Sequence, residues 1–290
     1  MNKVATGTAK IFALALSLMV GALMIGCKSA TEPASSQAYD SEAAADMNAS
    51  ALGTDAGGAG VNFGDSHTLL QTGDIASIVE GGKINSPQTK TKSFDPITKE
   101  HTLVITRNGN KNGFDFTADI TYKYTFYDAA GVKMDSLKKG ITDKIDISVT
   151  KSRSVSKGDR LDATDAASGT WTITAILTGS PILNGGYNRD GSIVFHTVAN
   201  GDRTMTFSLA VNFVNDTLVK DADGYTHLKG PANSDFKATT PKGYNIERKS
   251  DITFNGDGTA TLVVTRTSGD GTTETFTIDV KAGKFLRKIR

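Results

Sequence analysis

From about residue 93 to the C-terminus, apolar residues recur at every second position, and this period limits the possible folds more than any other feature of the chain. In residues 114–127, Phe114, Phe116, Ala118, Ile120, Tyr122, Tyr124 and Phe126 alternate with Asp115, Thr117, Asp119, Thr121, Lys123 and Thr125. Such a run leaves no room for a helix, whose apolar positions recur at intervals of three and four. At about 3.3 Å per residue the segment makes a strand of roughly 46 Å, more than twice the usual length.

Other runs obey the same rule: Ile145, Ile147 and Val149; Trp171, Ile173, Ala175 and Leu177; Met205, Phe207, Leu209, Val211 and Phe213. Turn signals lie between them at Lys157-Gly158-Asp159, Asn188-Arg189-Asp190-Gly191, Asn200-Gly201-Asp202 and Asn255-Gly256-Asp257-Gly258. Asn200-Gly201 predicts a two-residue hairpin turn, because both residues tolerate the positive φ of a type I′ turn. Short connections imply antiparallel neighbours, since a parallel pair needs a long crossover. The expected fold is therefore all-β over 93–290: a large antiparallel sheet of long strands, either curled into an open barrel or arranged as a β-sandwich. A membrane-spanning barrel is disfavoured, since neither a polar lumen nor two aromatic girdles can be traced.

An internal echo pairs TLVITR at 102–107 with TLVVTR at 261–266, and FTADI at 116–120 with FTIDV at 276–280. Duplication of a hairpin would produce it, and so would convergence, because any strand selects Thr, Val and Ile. No fixed repeat period accompanies it.

The N-terminus follows a different pattern. Lys3 and Lys10 precede an apolar run from Ile11 to Gly26, and Cys27, the only cysteine, follows directly. A basic head, a short hydrophobic segment and a small residue form a secretory signal, and the run is shorter than the roughly 20 residues of a permanent membrane helix. Leu23-Met24-Ile25-Gly26-Cys27 resembles the lipobox of bacterial lipoproteins. The resemblance covers residues 1–27 and implies that 1–26 is removed, that the Cys27 thiol receives a diacylglyceryl group and that the new amine is acylated, commonly with palmitate. It also implies localisation in the cell envelope. In that family Asp after the cysteine retains the protein in the inner membrane; Lys28 stands there instead, which implies the outer membrane. Acyl chains contribute on the order of 0.8 kcal/mol per buried methylene, enough together for stable attachment.

Between Lys28 and Asp65 the sequence is mostly Ala, Ser, Gly, Asp and Thr. Residues 27–65 are accordingly expected to be a disordered tether averaging roughly 34 Å end to end. Residues 66–92 read as a transition with one short helix from Asp74 to Glu80, closed by Gly81-Gly82.

The chain holds 32 Lys+Arg against 31 Asp+Glu, and loss of 1–26 leaves 30 against 31. Near-neutrality gives no long-range field for collecting nucleic acid. Lys281, Lys284, Arg287, Lys288 and Arg290 are the local exception. They suit a charged edge strand that resists edge-to-edge pairing, or contact with anionic lipid head groups.

Motifs for chemistry are sparse. His67, His101, His196 and His227 share no metal-ligand spacing, there is no nucleophile elbow and there is no second cysteine. Asp221-Ala222-Asp223-Gly224 opens like a calcium loop, but Ala232 stands where the closing glutamate belongs. No cofactor, metal site or catalytic set is expected, and Cys27 is the one assigned site. Trp171 and the Tyr122/Tyr124 stripe read as core or as a sugar-stacking platform. Three functional classes follow: a non-catalytic envelope lipoprotein for binding, adhesion or scaffolding; a carrier of lipid or another apolar ligand in a half-open barrel; and an enzyme in which carboxylates such as Asp115, Asp119 and Asp146 meet in the fold.

Overall fold

The computed structural model describes Ala44, Ala45, Asn48, Ala49, Leu52 and Leu69, then residues 88–290 except 112, 197–200, 221–225, 242, 244, 267–271, 281–283 and 290. Residues 1–27, the 74–82 helix and the Asp221–Gly224 turn therefore lie outside the described residues.

Period-two patterning yields strands throughout: β1 Gln88–Asp95, β2 Glu100–Lys111, β3 Phe114–Asp128, β4 Lys133–Met134, β5 Thr142–Ser156, β6 Leu161–Thr174 and β7 Ile182–Phe195. The series continues with β8 Arg203–Lys220, β9 Thr226–Thr239, β10 Asn245–Asn255, β11 Thr259–Arg266, β12 Thr273–Asp279 and β13 Lys284–Ile289. All belong to one antiparallel sheet in which consecutive strands are neighbours, except that β3 pairs with both β4 and β5. The sheet is open, with β1 and β13 at its two ends. The C-terminal Lys284, Arg287 and Lys288 thus lie on an edge strand, as one of the two readings of that cluster required.

One face of this sheet is dry. Leu103 and Ile105 on β2, Tyr122, Tyr124 and Phe126 on β3, Ile145, Ile147 and Val149 on β5, and Ile252 and Phe254 on β10 are all buried, while their sequence neighbours are more exposed. Trp171 is 3% exposed and Tyr122 and Tyr124 stack at 5.9 Å between ring centroids, so the aromatic residues are core rather than a surface platform. A single layer cannot keep one face from water by itself, so the sheet must fold about that face and something must fill what remains. Part of the filling comes from the chain's own N-terminal region. Ala44, Ala45, Asn48, Ala49 and Leu52 are helical and no more than 1% exposed, at the spacing of one helix face. Leu69 is helical and buried in the same core. The slack tether expected over 27–65 is corrected at these positions: alanines too small to build a core of their own pack against one supplied by the strands.

Smaller corrections have local causes. The β body begins at Gln88 rather than 93. The Asn200-Gly201 hairpin exists, but its connection spans residues 196–202; Gly201 takes φ 70°, and Asn200 lies outside the described residues. The run through Ala175 and Leu177 stops at Thr174, because Ala175 turns left-handed (φ 56°) into the 3-10 turn Ile176–Thr178. Asn188-Arg189-Asp190-Gly191 is no turn; it runs through the middle of β7, hydrogen-bonded to both β6 and β8. The internal echo loses its duplication reading. Leu103 faces Tyr122, whereas its counterpart Leu262 faces Phe276, the counterpart of Phe116, so the two hairpins are out of register.

Trp171, the only tryptophan, sits over two glycines. A β-carbon on Gly169 would come within 1.9 Å of its ring, and one on Gly185 within 2.5 Å of its Cβ. Gly169→Ala is expected to destabilise the fold by about 1–3 kcal/mol through overpacking, read as an earlier urea midpoint with Trp171 fluorescence as the probe.

Candidate functional site

The dry face is interrupted by a polar band. Directly opposed residues of antiparallel neighbours point to the same side, so the register defines rows across the sheet. One row runs Arg107, Ala118, Arg153, Asp165, Gly191. The next runs Ile105, Ile120, Lys151, Ala167, Arg189, Leu209, Phe236, Arg248. A third passes through Tyr187, Val211, Ser234, Ser250, Val264 and Glu274.

These are the positions that a simple core would fill with Val, Ile or Leu. Instead Arg107, Lys151, Arg189 and Arg248 are between 2% and 6% exposed. Asp165 anchors the cations nearest to it. Its Oδ2 accepts from Nη2 of Arg189 at 2.8 Å and from Nη2 of Arg153, while Nε of Arg189 reaches Oδ1 at 3.0 Å. Burial opposes ionisation of this carboxyl, but the two guanidinium groups outweigh it and hold the pKa far below the usual carboxylate range. Ser234 and Ser250 face each other across β9 and β10, and neither hydroxyl, nor that of Tyr187, has a hydrogen-bond partner among the described residues. A buried polar group without a partner costs about 1–3 kcal/mol, so the band does not exist for packing alone.

A second buried charge site lies nearer the other end of the strands. On β8, inward-facing residues are odd-numbered from Met205 to Phe213; a bulge between Phe213 and Thr217 then inserts an extra residue. Asn215 takes φ 55° and donates its amide to Oδ1 of Asn184 at 2.8 Å. The inserted residue reverses the parity, leaving Val214 exposed and turning Asp216 and Leu218 inward. Asp216 is fully buried, and among the described residues neither carboxylate oxygen has a hydrogen-bond partner of good geometry. Burial pushes its pKa up to about 7, and a weak polar contact with the backbone N–H of Val214 offsets only part of the rise. A β-carbon on Gly230 of β9 would fall 2.6 Å from Oδ1, so only glycine fits opposite.

The carboxylates proposed from sequence do not converge. Asp115 and Asp119 lie on the exposed face of β3. Asp146 on β5 opposes Thr125, six residues along β3 from Asp119 and thus about 20 Å away. The separations that glycosidases use are below about 10 Å. Asp146 serves its neighbours instead, accepting from Thr172 Oγ1 at 2.7 Å and pairing with Lys144 at 3.2 Å. His196 is a half-exposed residue between two acids, Asp162 at 3.0 Å and Asp202 at 3.1 Å, and these raise its pKa. His101 contacts the backbone oxygen of Asp135 at 2.7 Å, and His227 is on β9. Among the described residues no three His, Cys, Asp or Glu side chains form a metal-binding group.

Sequence reasoning did not identify the polar band, although the signal was there. Continuing Ile145, Ile147, Val149 by twos reaches Lys151 and Arg153, and Tyr187 leads to Arg189. No family model, curated protein or solved structure matches the chain.

Two outcomes are expected. Asp165→Asn leaves Arg189 buried beside a neutral amide and should lower stability by about 3–5 kcal/mol, the range for breaking one side of a buried ion pair, measured by urea denaturation. Asp216 binds its proton more tightly folded than unfolded. Its contribution to stability is therefore fully present below the ordinary carboxylate range, falls as pH rises toward about 7 and is flat above that. Asp216→Asn should abolish that slope, and the pH dependence of the thermal midpoint from 4 to 8 checks it.

Proposed function

We propose that this chain is an envelope lipoprotein, anchored through lipidated Cys27, whose β body is a non-catalytic binding or scaffolding module. The observation that carries the reading is the juxtaposition, within one chain, of a lipobox-like Leu23–Cys27 and an all-β body whose core takes in Ala44, seventeen residues later. The outer membrane is the destination, on the strength of Lys28.

The alternative, a carrier whose apolar face lines a hollow for lipid, requires that face to be vacant. Ala44, Ala45, Ala49, Leu52 and Leu69 belong to the same buried cluster as Tyr122, Trp171 and Phe213, which weighs against it. The outer face is the surface left for a partner. In one row across it stand Asn108, Thr117, Ser154, Thr164, Ser192, Thr206, Thr239 and Asn245, one per strand. Short neutral hydrogen-bonding side chains of this kind present a polar, uncharged table. Some satisfy one another, as Thr117 with Ser154 at 2.7 Å and Thr164 with Ser192 at 2.9 Å. Such a surface fits a polar envelope partner better than an apolar one.

Cys27→Ala should move the protein from the membrane fraction to the soluble fraction and abolish incorporation of labelled palmitate. Unchanged fractionation with unchanged labelling would remove the anchor from this reading.

A further inference from the structure

Antiparallel strands taken in chain order put alternate connections at the same end of a sheet. The β1–β2 turn, the β3–β5 connection that carries β4, and the β6–β7 connection therefore share one end. Each holds large apolar side chains out in water: Ile97 is 89% exposed, and Val132, Ile141 and Leu177 are between 45% and 59% exposed. Phe94 stands just before the first turn, 40% exposed, with its ring centroid 4.6 Å from that of His101. The other exposed large apolar side chains among the described residues, Val104 and Val214, lie within strands. Single exposed apolar residues are ordinary on a protein surface. Their concentration on three turns at one end is not.

The turns form one ridge. Lys133 Nζ donates to the backbone oxygen of Thr98 at 3.3 Å and Lys99 Nζ pairs with Asp135 Oδ1 at 2.6 Å, which ties the first turn to the second. The amide of Leu177 donates to Asp143 Oδ1 at 3.0 Å, which ties the third to the start of β5. Aspartates fix two further tips: the Ile97 amide donates to Asp95 Oδ1 at 2.8 Å and the Val132 amide to Asp128 Oδ1 at 2.9 Å. The Ile141 amide donates to the backbone oxygen of Lys138 at 3.1 Å. All four tips thus present an apolar side chain while their own N–H is satisfied within the protein, as entry into a medium without water demands.

Charge points to the same medium. The acids of these turns already have donors: Asp95, Asp128 and Asp143 hold turn amides, Asp135 holds Lys99, and Glu100 holds Lys123 at 2.8 Å. Lys138 and Lys139, exposed beside Ile141, make no ion pair among the described residues. We propose that this end of the sheet docks on an anionic phospholipid bilayer: Ile97, Val132, Ile141 and Leu177 enter the interfacial layer, and Lys138 and Lys139 meet the head groups. The inference rests on the envelope reading only for a bilayer within reach. It does not need Cys27 to be lipidated, and the ridge is separate from the hydroxyl-rich rows of the outer face.

The experiment uses the full chain with Cys27→Ala, so that each further variant has a single thiol for an environment-sensitive dye. Ile97→Cys, Val132→Cys, Ile141→Cys and Leu177→Cys report the ridge. Val104→Cys on the outer face of β2, and Asp159→Cys on the β5–β6 turn at the opposite end, report the rest. On vesicles of phosphatidylcholine mixed with phosphatidylglycerol, the four ridge dyes should shift to the blue and be quenched by lipid-borne nitroxides, and the two control dyes should do neither. On phosphatidylcholine alone the shift should shrink, because a lysine near an anionic surface strengthens attachment about fivefold. Ridge dyes that stay in water on vesicle-bound chain overturn the proposal, and so does a chain that leaves the mixed vesicles unbound. A blue shift that appears without vesicles and grows with protein concentration assigns the ridge to a second copy of this chain and overturns it as well. Equal shifts on both kinds of vesicle overturn the part given to Lys138 and Lys139. Because Cys27 is absent throughout, failure of the anchor, read by palmitate labelling, is distinguishable from failure of the ridge.

Discussion

A single hydrogen-bonded layer with one wet and one dry face has to cover the dry side, and most of what is distinctive here follows from that requirement. One continuous open sheet runs from β1 to β13, and it can cover that side by curling or by folding into two opposed layers. Each strand contributes one apolar stripe, and only folding of the sheet about those stripes, with additional chain inside, removes them from water. Ala44, Ala45, Asn48, Ala49 and Leu52 are helical because the sheet's interior gives their apolar face somewhere to go; a short isolated helix in water would be marginal. Openness leaves two edges, and each has lysines: Lys90 and Lys92 on β1, Lys284 and Lys288 on β13. Charge at an edge discourages addition of a further strand.

Within that interior the chain spends stability on charge. Replacing a buried ion-pair cluster by well-fitting apolar residues is often neutral or favourable, so Arg153, Asp165 and Arg189 are poor candidates for simple stabilisation. What they do fix is register. Arg153 opposes Asp165 directly, and Arg189 reaches Asp165 from the adjoining row, so a slip of β6 by one residue would turn Asp165 to the outer face and strand two guanidinium groups. The bulge on β8 complements this. It lets Asp216 and Leu218 face inward at the price of one left-handed residue, Asn215, and Gly230 opposite has no side chain to obstruct them.

The architecture was legible because period two is a strong signal over long strands: β3 lies where Phe114 to Phe126 placed it, and the Gly158 and Gly256 turns lie where their residue types placed them. The polar band was legible on β5, where Lys151 and Arg153 continue the alternation of Ile145 to Val149, but less so on β7, as Arg189 illustrates. Asn188-Arg189-Asp190-Gly191 has the composition of a turn, yet both its neighbours in the sheet hydrogen-bond to it, and tertiary pairing overrides local preference. Gly191 is there for space, since a β-carbon would lie 2.4 Å from the ring of Phe207. Asp216 was hidden differently: counting by twos from Met205 assigns it to solvent, and only the extra residue of the bulge reverses that. The N-terminal segment looked like a tether because low hydrophobicity was judged in isolation, without the sheet that lends it a core.

Seating Ala44 in that core also changes what an anchor at Cys27 can do. A free tether of 38 residues would let the body diffuse well away from the membrane. Seventeen links from Cys27 to Ala44 reach at most about 60 Å fully stretched, and roughly 23 Å on average if they behave as a coil. That average is about half the length of β3, which at 15 residues spans roughly 50 Å. Were Cys27 lipidated as proposed, a body held so closely could not present all of its outer face equally: the region near the point of entry would be kept close to the lipid surface, and the far ends of the strands would stand away from it. On that proposal the packing that fills the inner face would also shorten the leash, and any partner recognised by the hydroxyl-rich outer rows would have to be met within that reach.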